Sequence, residues 1–420
     1  MDFKGKSVVN NNIFYAQSGG PTAVINATAC GVIQTARQKN EIGTVFAGKN
    51  GIIGALKNEL IDTAQYSDTA IEQLKYTPAS AFGTCRYKLK SLEEDRATYE
   101  QLIQIFKNYQ IGYVFYNGGN DSQDTSHKLS KLSKEMGYPL SCLGLPKTVD
   151  NDLFGTDCCP GFGSVAKYIA ISTLETALDV KSMSASSTKV FILEVMGRHA
   201  GWIAASAGLA GNNLESAPHI ILLPEVPFEQ KSFLIKVKQC VKDYGYCSIV
   251  ASEGTRFANG KFLSEGTSSD AFGHVQLGGV APILGALINK ELSIKNHWAV
   301  ADYLQRSARH LASQVDLDQA YTLGQQAVLR ALNGASDVML TIDRIQQSPY
   351  QWQIGEIALS EVANKEKKLP TDFIRADGFG ISEKCRDYLL PLIQGEAYPT
   401  YHNGLPEYVK LNLETMKSAV

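Results

Sequence analysis

The stretch "NNIFYAQSGGPTAVINATACGVIQTARQK" (11–39) combines three local patterns that decide the fold. "NNIFYA" (11–16) is a short, mostly apolar run that predicts a strand, and "TAVINATACGVIQTARQK" (22–39) repeats apolar residues at helical spacing. Between them, the glycines of "QSGGP" allow a tight turn. A strand, a glycine loop and a helix in this order predict one unit of a parallel α/β sheet.

The same alternation of strand and helix continues through the first 330 residues. The predicted strands and helices fall into two groups along the chain. The first group lies at 44–48, 96–121 and 139–152. The second lies at 163–182, 188–197, 219–226 and 246–254. Such alternation is typical of parallel sheets covered by helices. The sequence therefore predicts two α/β units that pack closely, with a cleft between them.

Composition and charge exclude several classes of protein. The chain has 420 residues, of which 44% are hydrophobic and 20% charged, as expected for a globular protein with more than one core. The formal net charge of −2 and the lack of a Lys/Arg block argue against nucleic-acid or membrane binding. The sequence shows neither an export signal nor an apolar run of about 18 residues. Its eight cysteines lack zinc spacing, so we expect reduced thiols and a cytoplasmic protein.

Ligands of open parallel sheets bind beyond the carboxyl ends of the strands, so the residues that follow each predicted strand are site candidates. The informative ends carry Gly20, then Asn120 and Asp121, then Lys147, Asp150 and Asp152, then Met196, Gly197 and Arg198, and finally Glu253. Glycine turns, carboxylates and cations together suit phosphoryl transfer, in which the protein chiefly positions groups and neutralises charge.

Each of these strand ends also has an ordinary structural interpretation when it is taken alone. The glycines at 19–20 would serve a tight turn as well as an anion site. The Asp-Ser pair at 121–122 would make good helix N-caps. Arg198 could form a surface ion pair, and Lys147 and Glu253 could be solvated loop residues. A dinucleotide site is disfavoured, because no GxGxxG is followed by an acid about 20 residues on.

Seven motifs together resemble the phosphofructokinase family. "SGGPTAVIN", "GGNDS", "PKTVDND", "EVMGRHAGW", "PEVPF", "SEG" and "YLQRS" follow that family's order and spacing over about residues 12–330. The resemblance implies two Rossmann-like parallel-sheet domains, with fructose 6-phosphate in the cleft and phosphoryl transfer to its 1-hydroxyl. It implies Mg²⁺ as cofactor. It also implies a donor domain of 1–160 plus about 305–350, and a fructose 6-phosphate domain of 161–304 plus about 351–420.

The resemblance further implies roles for single residues. Asp150 resembles the general base that takes the proton of the sugar hydroxyl, and Asp152 resembles its metal-side partner. The residues that resemble the fructose 6-phosphate pocket are Thr148, Val149, Asp150, Met196, Gly197, Arg198, Glu253, Tyr303 and Arg306. Those that resemble contacts to the phosphoryl donor are Gly20, Arg86 and Lys147. Lys189 resembles a basic residue that reaches a neighbouring subunit's sugar phosphate, which implies a homodimer or homotetramer.

Asp121 and Lys147 bear on the choice of donor. Family members that use ATP carry glycine at the place of Asp121 and lack a lysine at the place of Lys147, whereas members with the pattern found here use pyrophosphate. A carboxylate at 121 would repel an α-phosphate, and Lys147 would neutralise the leaving phosphate. The sequence therefore predicts a reversible, pyrophosphate-dependent reaction of glycolysis or gluconeogenesis. The alternatives are an ATP-dependent 6-phosphofructokinase and a catalytically silent regulatory subunit of the same fold.

Two positions depart from the family's usual pattern. Asn120 stands where the family usually has an aspartate that contacts the metal. An amide can still bind Mg²⁺ but brings no charge, so we expect more of the metal binding to fall on Asp152. Tyr303 replaces a histidine that is common among the ATP users.

Overall fold

The computed structural model describes residues 11–87, 89–91, 93–213, 215–269, 275–277, 279–362 and 365–416. The first ten residues, in which the sequence shows no export signal, lie outside this range. The strands are β1 (Asn12–Gln17), β2 (Val45–Gly48), β3 (Leu60–Asp62), β4 (Ile111–Gly118), β5 (Ser141–Pro146), β6 (Val190–Val195), β7 (Ile220–Leu222), β8 (Cys247–Ser252), β9 (Glu265–Ser269), β10 (Val275–Leu277), β11 (Asn296–Val300), β12 (Val338–Gln346), β13 (Gln351–Ala358), β14 (Tyr401–His402) and β15 (Leu405–Pro406). The helices are α1 (Ile25–Arg37), α2 (Ile52–Leu56), α3 (Asp68–Gln73), α4 (Arg96–Asn108), α5 (Asn120–Glu135), α6 (Phe162–Met183), α7 (Trp202–Ser206), α8 (Gln230–Tyr244), α9 (Val280–Leu292), α10 (Asp302–Ser307), α11 (Gln314–Leu332), α12 (Leu359–Val362) and α13 (Glu383–Leu389).

The first unit is built on a seven-stranded sheet in the order β13-β12-β5-β4-β1-β2-β3. Its inner pairs β2–β1, β1–β4, β4–β5 and β5–β12 are all parallel. The two edge pairs, β2–β3 and β12–β13, are antiparallel. The parallel α/β sheet predicted from the first strand-loop-helix unit is thus confirmed, with one antiparallel strand added at each edge.

The second unit contains a four-stranded parallel sheet in the order β11-β6-β8-β7. Its inner strands β6 and β8 are almost wholly buried, as their apolar sequences predict. The sequence interpretation missed β11, which forms an edge of this sheet. This five-residue strand begins with the polar residues Asn296 and His297, and all of its side chains are exposed or half-buried, unlike those of the inner strands.

Glycines bring α1 close to α11, and so fix the helix that follows the first glycine loop. A Cβ atom built on Gly31 would lie 2.2 Å from the carbonyl oxygen of Tyr321. A Cβ atom on Gly324 would lie 2.1 Å from that of Thr28. Larger residues at either position would force the two helices apart, because backbone atoms cannot yield as a flexible side chain can.

The chain beyond residue 350 contacts both units, which corrects the predicted domain boundary. β13 pairs with β12 in the first sheet, so assigning 351–358 to the fructose 6-phosphate domain was wrong. β12 and β13 form an antiparallel hairpin within the first sheet. Later, the ring of Phe373 packs 5.9 Å from that of Trp202 in the second unit, whereas the Met416 amide donates to Leu60 in the first. The remainder of the predicted division stays a prediction.

The cysteines carry no cross-links. All eight are free and buried, in agreement with the reduced thiols predicted from their spacing. Across the described ranges, no helix combines the length and apolar character needed to span a membrane.

Candidate active site

A cleft of about 920 Å³ opens where loops of both units meet. The loops after β1, β4 and β5 contribute from the first sheet, and those after β6, β8 and β11 contribute from the second. Fourteen of the residues predicted from the sequence line it, namely Gly20, Arg86, Asn120, Asp121, Lys147, Thr148, Val149, Asp150, Asp152, Met196, Arg198, Glu253, Tyr303 and Arg306. The topology therefore brings together side chains that are far apart in the sequence, at the place where parallel sheets bind ligands.

Two predicted residues lie outside the lining of the cleft. Gly197 lies behind it, where its amide donates to Glu253 Oε1 at 3.3 Å and its φ of +126° favours glycine. Lys189 precedes β6, whereas Met196 follows that strand. Six residues of strand separate the two ends by roughly 20 Å, so Lys189 does not reach the cleft of its own chain.

Lys147 lies beneath the glycine turn that follows β1. Its side-chain ammonium donates to the carbonyl oxygen of Gly20 at 2.8 Å, and the residue is only 4% exposed. Gly19 has a φ of +75°, and a Cβ atom there would lie 3.2 Å from Lys147 Nζ. The interpretation of Lys147 as a solvated loop residue is therefore wrong, because the turn covers it.

Burial and the neighbouring charged groups have opposing effects on the pKa of Lys147. Burial lowers the pKa of Lys147 to about 8, the nearby Asp150 carboxylate opposes that shift, and the guanidinium of Arg306 adds to it. An anionic phosphate entering the cleft would favour the ammonium form. The site thus holds a cation whose charge is stabilised most when an anion binds.

Three acidic side chains face the same space, and burial raises the pKa of each one. For Asp150 the opposing effects are the charge of Lys147 and a hydrogen bond from the Thr148 hydroxyl. For Asp152 the negative charge of Asp150 raises the pKa further. Burial, followed by the charge of Asp150, raises the pKa of Glu253 to about 7. Such a cluster favours binding of a cation, which would stabilise the ionised carboxylates.

The amino end of α5 supplies a second glycine-rich edge of the cleft. Gly119 is the N-cap residue, so the interpretation of 121–122 as N-caps is wrong. Asp121 instead lies in the first turn of the helix and lines the cleft. The Oδ1 atom of Asn120 is buried without a hydrogen-bond partner among the described residues. A buried amide oxygen in this state is available to a ligand or a cation.

Arg306 crosses the cleft from α10 toward the glycine turn. Its guanidinium lies 3.9 Å from the centre of the Tyr303 ring, a cation–π contact that orients it. A Cβ atom on Gly20 would lie 2.4 Å from Arg306 Nη1. The absence of a side chain at 20 therefore lets an arginine of the second unit approach the backbone of the first.

The structure adds cleft residues that sequence reasoning missed. These are Tyr87, His199, Ala200, Leu277, Asp302, Glu366 and Lys368. His199 directly follows the "MGR" motif, so its position was a usable signal, and its Nδ1 atom lies 2.8 Å from Glu366 Oε1. Glu366 and Lys368 come from the region where the α/β pattern has loosened, and no local pattern indicated them.

Comparisons with known proteins agree with this geometry. Residues 12–329 match the sequence model of the phosphofructokinase family. The pyrophosphate–fructose 6-phosphate 1-phosphotransferase of Methylococcus capsulatus is 60% identical over 401 residues, which cover 95% of this chain and 96% of that protein. The enzyme of the same name from Halomonas elongata is 58% identical over 405 residues, covering 96% and 97%.

A solved structure extends the similarity over the three-dimensional fold. The crystal structure of the pyrophosphate-dependent phosphofructokinase from Marinobacter aquaeolei superimposes with a TM-score of 0.90 at 57% identity, covering 98% of each chain. These similarities include the part of the chain beyond residue 329, where the family match ends. The resemblance seen in the seven motifs is thereby confirmed, and the chain belongs to the phosphofructokinase family.

Proposed function

We propose that the protein transfers a phosphoryl group from inorganic pyrophosphate to the 1-hydroxyl of fructose 6-phosphate. The products are fructose 1,6-bisphosphate and orthophosphate, and the reaction is reversible because both sides contain phosphate compounds of comparable energy. The observation that carries the proposal is the buried ammonium of Lys147, which donates to Gly20 and lies close enough to Asp150 for that carboxylate to raise its pKa. The two relatives at 60% and 58% identity carry the corresponding name.

The chemistry follows from the positions of the charged groups. The 1-hydroxyl oxygen attacks the distal phosphorus, a new P–O bond forms, and the bond to the bridging oxygen of pyrophosphate breaks. The Asp150 carboxylate takes the hydroxyl proton, and the bridging oxygen leaves with orthophosphate. Lys147 neutralises the charge that develops on the leaving phosphate, where a preorganised cation in a water-poor cleft is most effective. Arg198 and Arg306 also line the cleft, and as cations they would bind the anionic groups of the substrates.

The cleft also suits Mg²⁺, the predicted cofactor. Among the described residues, no group of three or more His, Cys, Asp or Glu side chains is arranged to hold a metal ion alone. Mg²⁺ in phosphoryl-transfer sites usually takes one or two protein oxygens and completes its shell with phosphates and water. The partnerless Asn120 Oδ1 and the Asp152 carboxylate would supply those oxygens. When bound, the ion would neutralise phosphate charge.

A coupled assay of fructose 1,6-bisphosphate formation tests the donor. With fructose 6-phosphate and Mg²⁺, we expect turnover with pyrophosphate and at least about 100-fold less with ATP, because the Asp121 carboxylate repels an α-phosphate. An Asp121→Gly variant removes the carboxylate that repels the α-phosphate of ATP. We therefore expect it to lower the ratio of pyrophosphate turnover to ATP turnover at least about tenfold. Turnover of the wild type with ATP alone would contradict the proposed donor. Turnover with neither donor would favour a silent subunit.

We also propose that the enzyme is a homodimer or a homotetramer. α10 packs on α6, and together with the edge strand β11 they present exposed apolar side chains, namely Leu174, Leu178, Trp298, Val300 and Leu304. An unpaired strand edge beside apolar residues is typical of an interface. Lys189 donates its amide to Lys295 at the start of this edge, where it would face a neighbouring chain. Sedimentation velocity should give a dimer or tetramer at micromolar concentration, and a monomer would contradict this.

The cysteines support the predicted cytoplasmic location. Eight free thiols are what a reducing compartment such as the cytoplasm maintains. Burial raises the pKa of several of them, including Cys30 and Cys159, which keeps these thiols unreactive.

A further inference from the structure

Asn151 lies between Asp150 and Asp152 in a left-handed backbone conformation. Its φ is +53°, and the residue is fully buried. Both neighbouring aspartates line the cleft, whereas Asn151 does not. The left-handed residue makes a turn in the chain between the two aspartates, and its conformation therefore affects where each carboxylate lies. Asparagine tolerates this conformation better than most residues do, but it remains less favourable than ordinary extended or helical backbone.

The Asn151 side chain is held on the side away from the cleft. Its Nδ2 atom donates to the Tyr388 hydroxyl at 3.1 Å. Its Oδ1 atom accepts from the Cys159 amide at 3.0 Å and from Lys367 Nζ at 3.2 Å. Buried amide groups need such partners, and here they also fix the orientation of the side chain. Two of the three come from the chain beyond residue 329, outside the family match.

The ammonium group of Lys367 donates to the loop that carries the two aspartates. Besides Asn151, its ammonium donates to the carbonyl oxygens of Thr156 at 3.0 Å and Asp157 at 2.8 Å. These three acceptors use all the donors of an ammonium group, so its charge serves the loop and not a substrate. The backbone amide of Lys367 donates to the Asp152 carbonyl oxygen at 2.7 Å. One residue thus contacts the loop at four points.

Tyr388 and Trp202 make further hydrogen bonds that hold the loop and Lys367 in place. The Tyr388 hydroxyl donates to the Asp157 carbonyl oxygen at 2.5 Å while it accepts from Asn151. Trp202 Nε1 donates to the Lys367 carbonyl oxygen at 2.9 Å, and its ring lies 5.2 Å from Lys367 Nζ. Because Trp202 belongs to the second unit, the loop of the first unit is tied through Lys367 to the other side of the cleft.

We propose that Lys367 and Tyr388 are positioning residues, which hold Asn151 in its left-handed conformation and thereby place the Asp150 and Asp152 carboxylates in the cleft. This assigns a catalytic purpose to the chain beyond the family match. It rests on the proposed function for the identity of the reaction, but the arrangement of the loop stands independently of the donor. A purely stabilising role would lower the melting temperature without slowing the folded enzyme.

Tyr388→Phe and Asn151→Gly test the proposal without removing a buried charge. Tyr388→Phe removes the hydroxyl that bonds to Asn151. Asn151→Gly still allows the left-handed conformation but removes the side-chain hydrogen bonds that hold it. Since a displacement of about 1 Å can cost about 100-fold in rate, we expect kcat per folded enzyme to fall about 10- to 100-fold in both. The KM values should stay within about threefold, because the substrate-binding arginines are untouched. Tyr401→Phe, at an exposed tyrosine of the same extension, is the matched control and should match the wild type.

Lys367→Met provides a stronger variant, with exposed Lys384→Met as its control. All assays use whichever donor the wild type accepts, so failure of the pyrophosphate proposal would not be confused with failure of this one. Crystal structures of wild type and Tyr388→Phe supply a readout besides activity, in which we expect the 150 and 152 carboxylates to be displaced. Unchanged kcat in folded Tyr388→Phe and Asn151→Gly, or carboxylates that have not moved, would overturn the proposal.

Discussion

Replacing Asp150 with asparagine is expected to lower kcat by about 10²- to 10⁴-fold, the range found when a general base is removed. Asparagine has the same shape but cannot accept the proton of the sugar hydroxyl. Because it also keeps most of the packing, the KM for fructose 6-phosphate should change much less than kcat. The variant should fold at least as well as the wild type, since it removes a buried carboxylate whose pKa burial has raised.

Steady-state assays in both reaction directions, on protein checked by circular dichroism, measure this effect. Asp68→Asn is a matched control, because the Asp68 side chain is 89% exposed and pairs with Arg37 at the surface. A kcat of Asp150→Asn within about tenfold of the wild type would mean that another group takes the proton, and Asp152 or Glu253 would be the next to test.

The inner part of the fold was predictable because its signals are local. β1, the glycine turn and α1 each carry their own pattern within the stretch 11–39, and parallel topology then follows from alternation alone. Because the carboxyl ends of parallel strands lie along one edge of a sheet, the residues that follow the strands lie near one another. The sequence therefore identified Lys147, Glu253 and Arg198 as candidates from their positions after predicted strands.

The parts that escaped prediction depend on contacts between distant segments. β11 was missed because it is a short edge strand that begins with two polar residues, and its position in the sheet depends on pairing with β6, more than 100 residues earlier in the chain. Lys367 and Tyr388 act through carbonyl oxygens more than 200 residues away, and no spacing in the sequence links a lysine to such acceptors. The left-handed φ of Asn151 is also invisible in "TVDND", where an asparagine between two aspartates is typical of any polar loop.

The second large effect is expected for Lys147→Met, which keeps the length of the side chain and removes its charge. We expect kcat with pyrophosphate to fall by about 10²- to 10³-fold, comparable to the loss of one preorganised donor at a developing anion. The KM for fructose 6-phosphate should change less than about threefold, because Lys147 lies under the turn of residues 19–20 and not among the sugar contacts. Lys134→Met, at an exposed lysine near the end of α5, is the matched control.

Lys147→Gln separates charge from the hydrogen bond to Gly20. Glutamine is neutral but retains an N–H donor, so it could still support the glycine turn. If the charge neutralises the leaving phosphate, Lys147→Gln should be nearly as slow as Lys147→Met. If the lysine only holds the turn, Lys147→Gln should recover most of the wild-type rate, and the role in catalysis would be excluded. Comparing the kcat of the two variants with pyrophosphate decides between these roles.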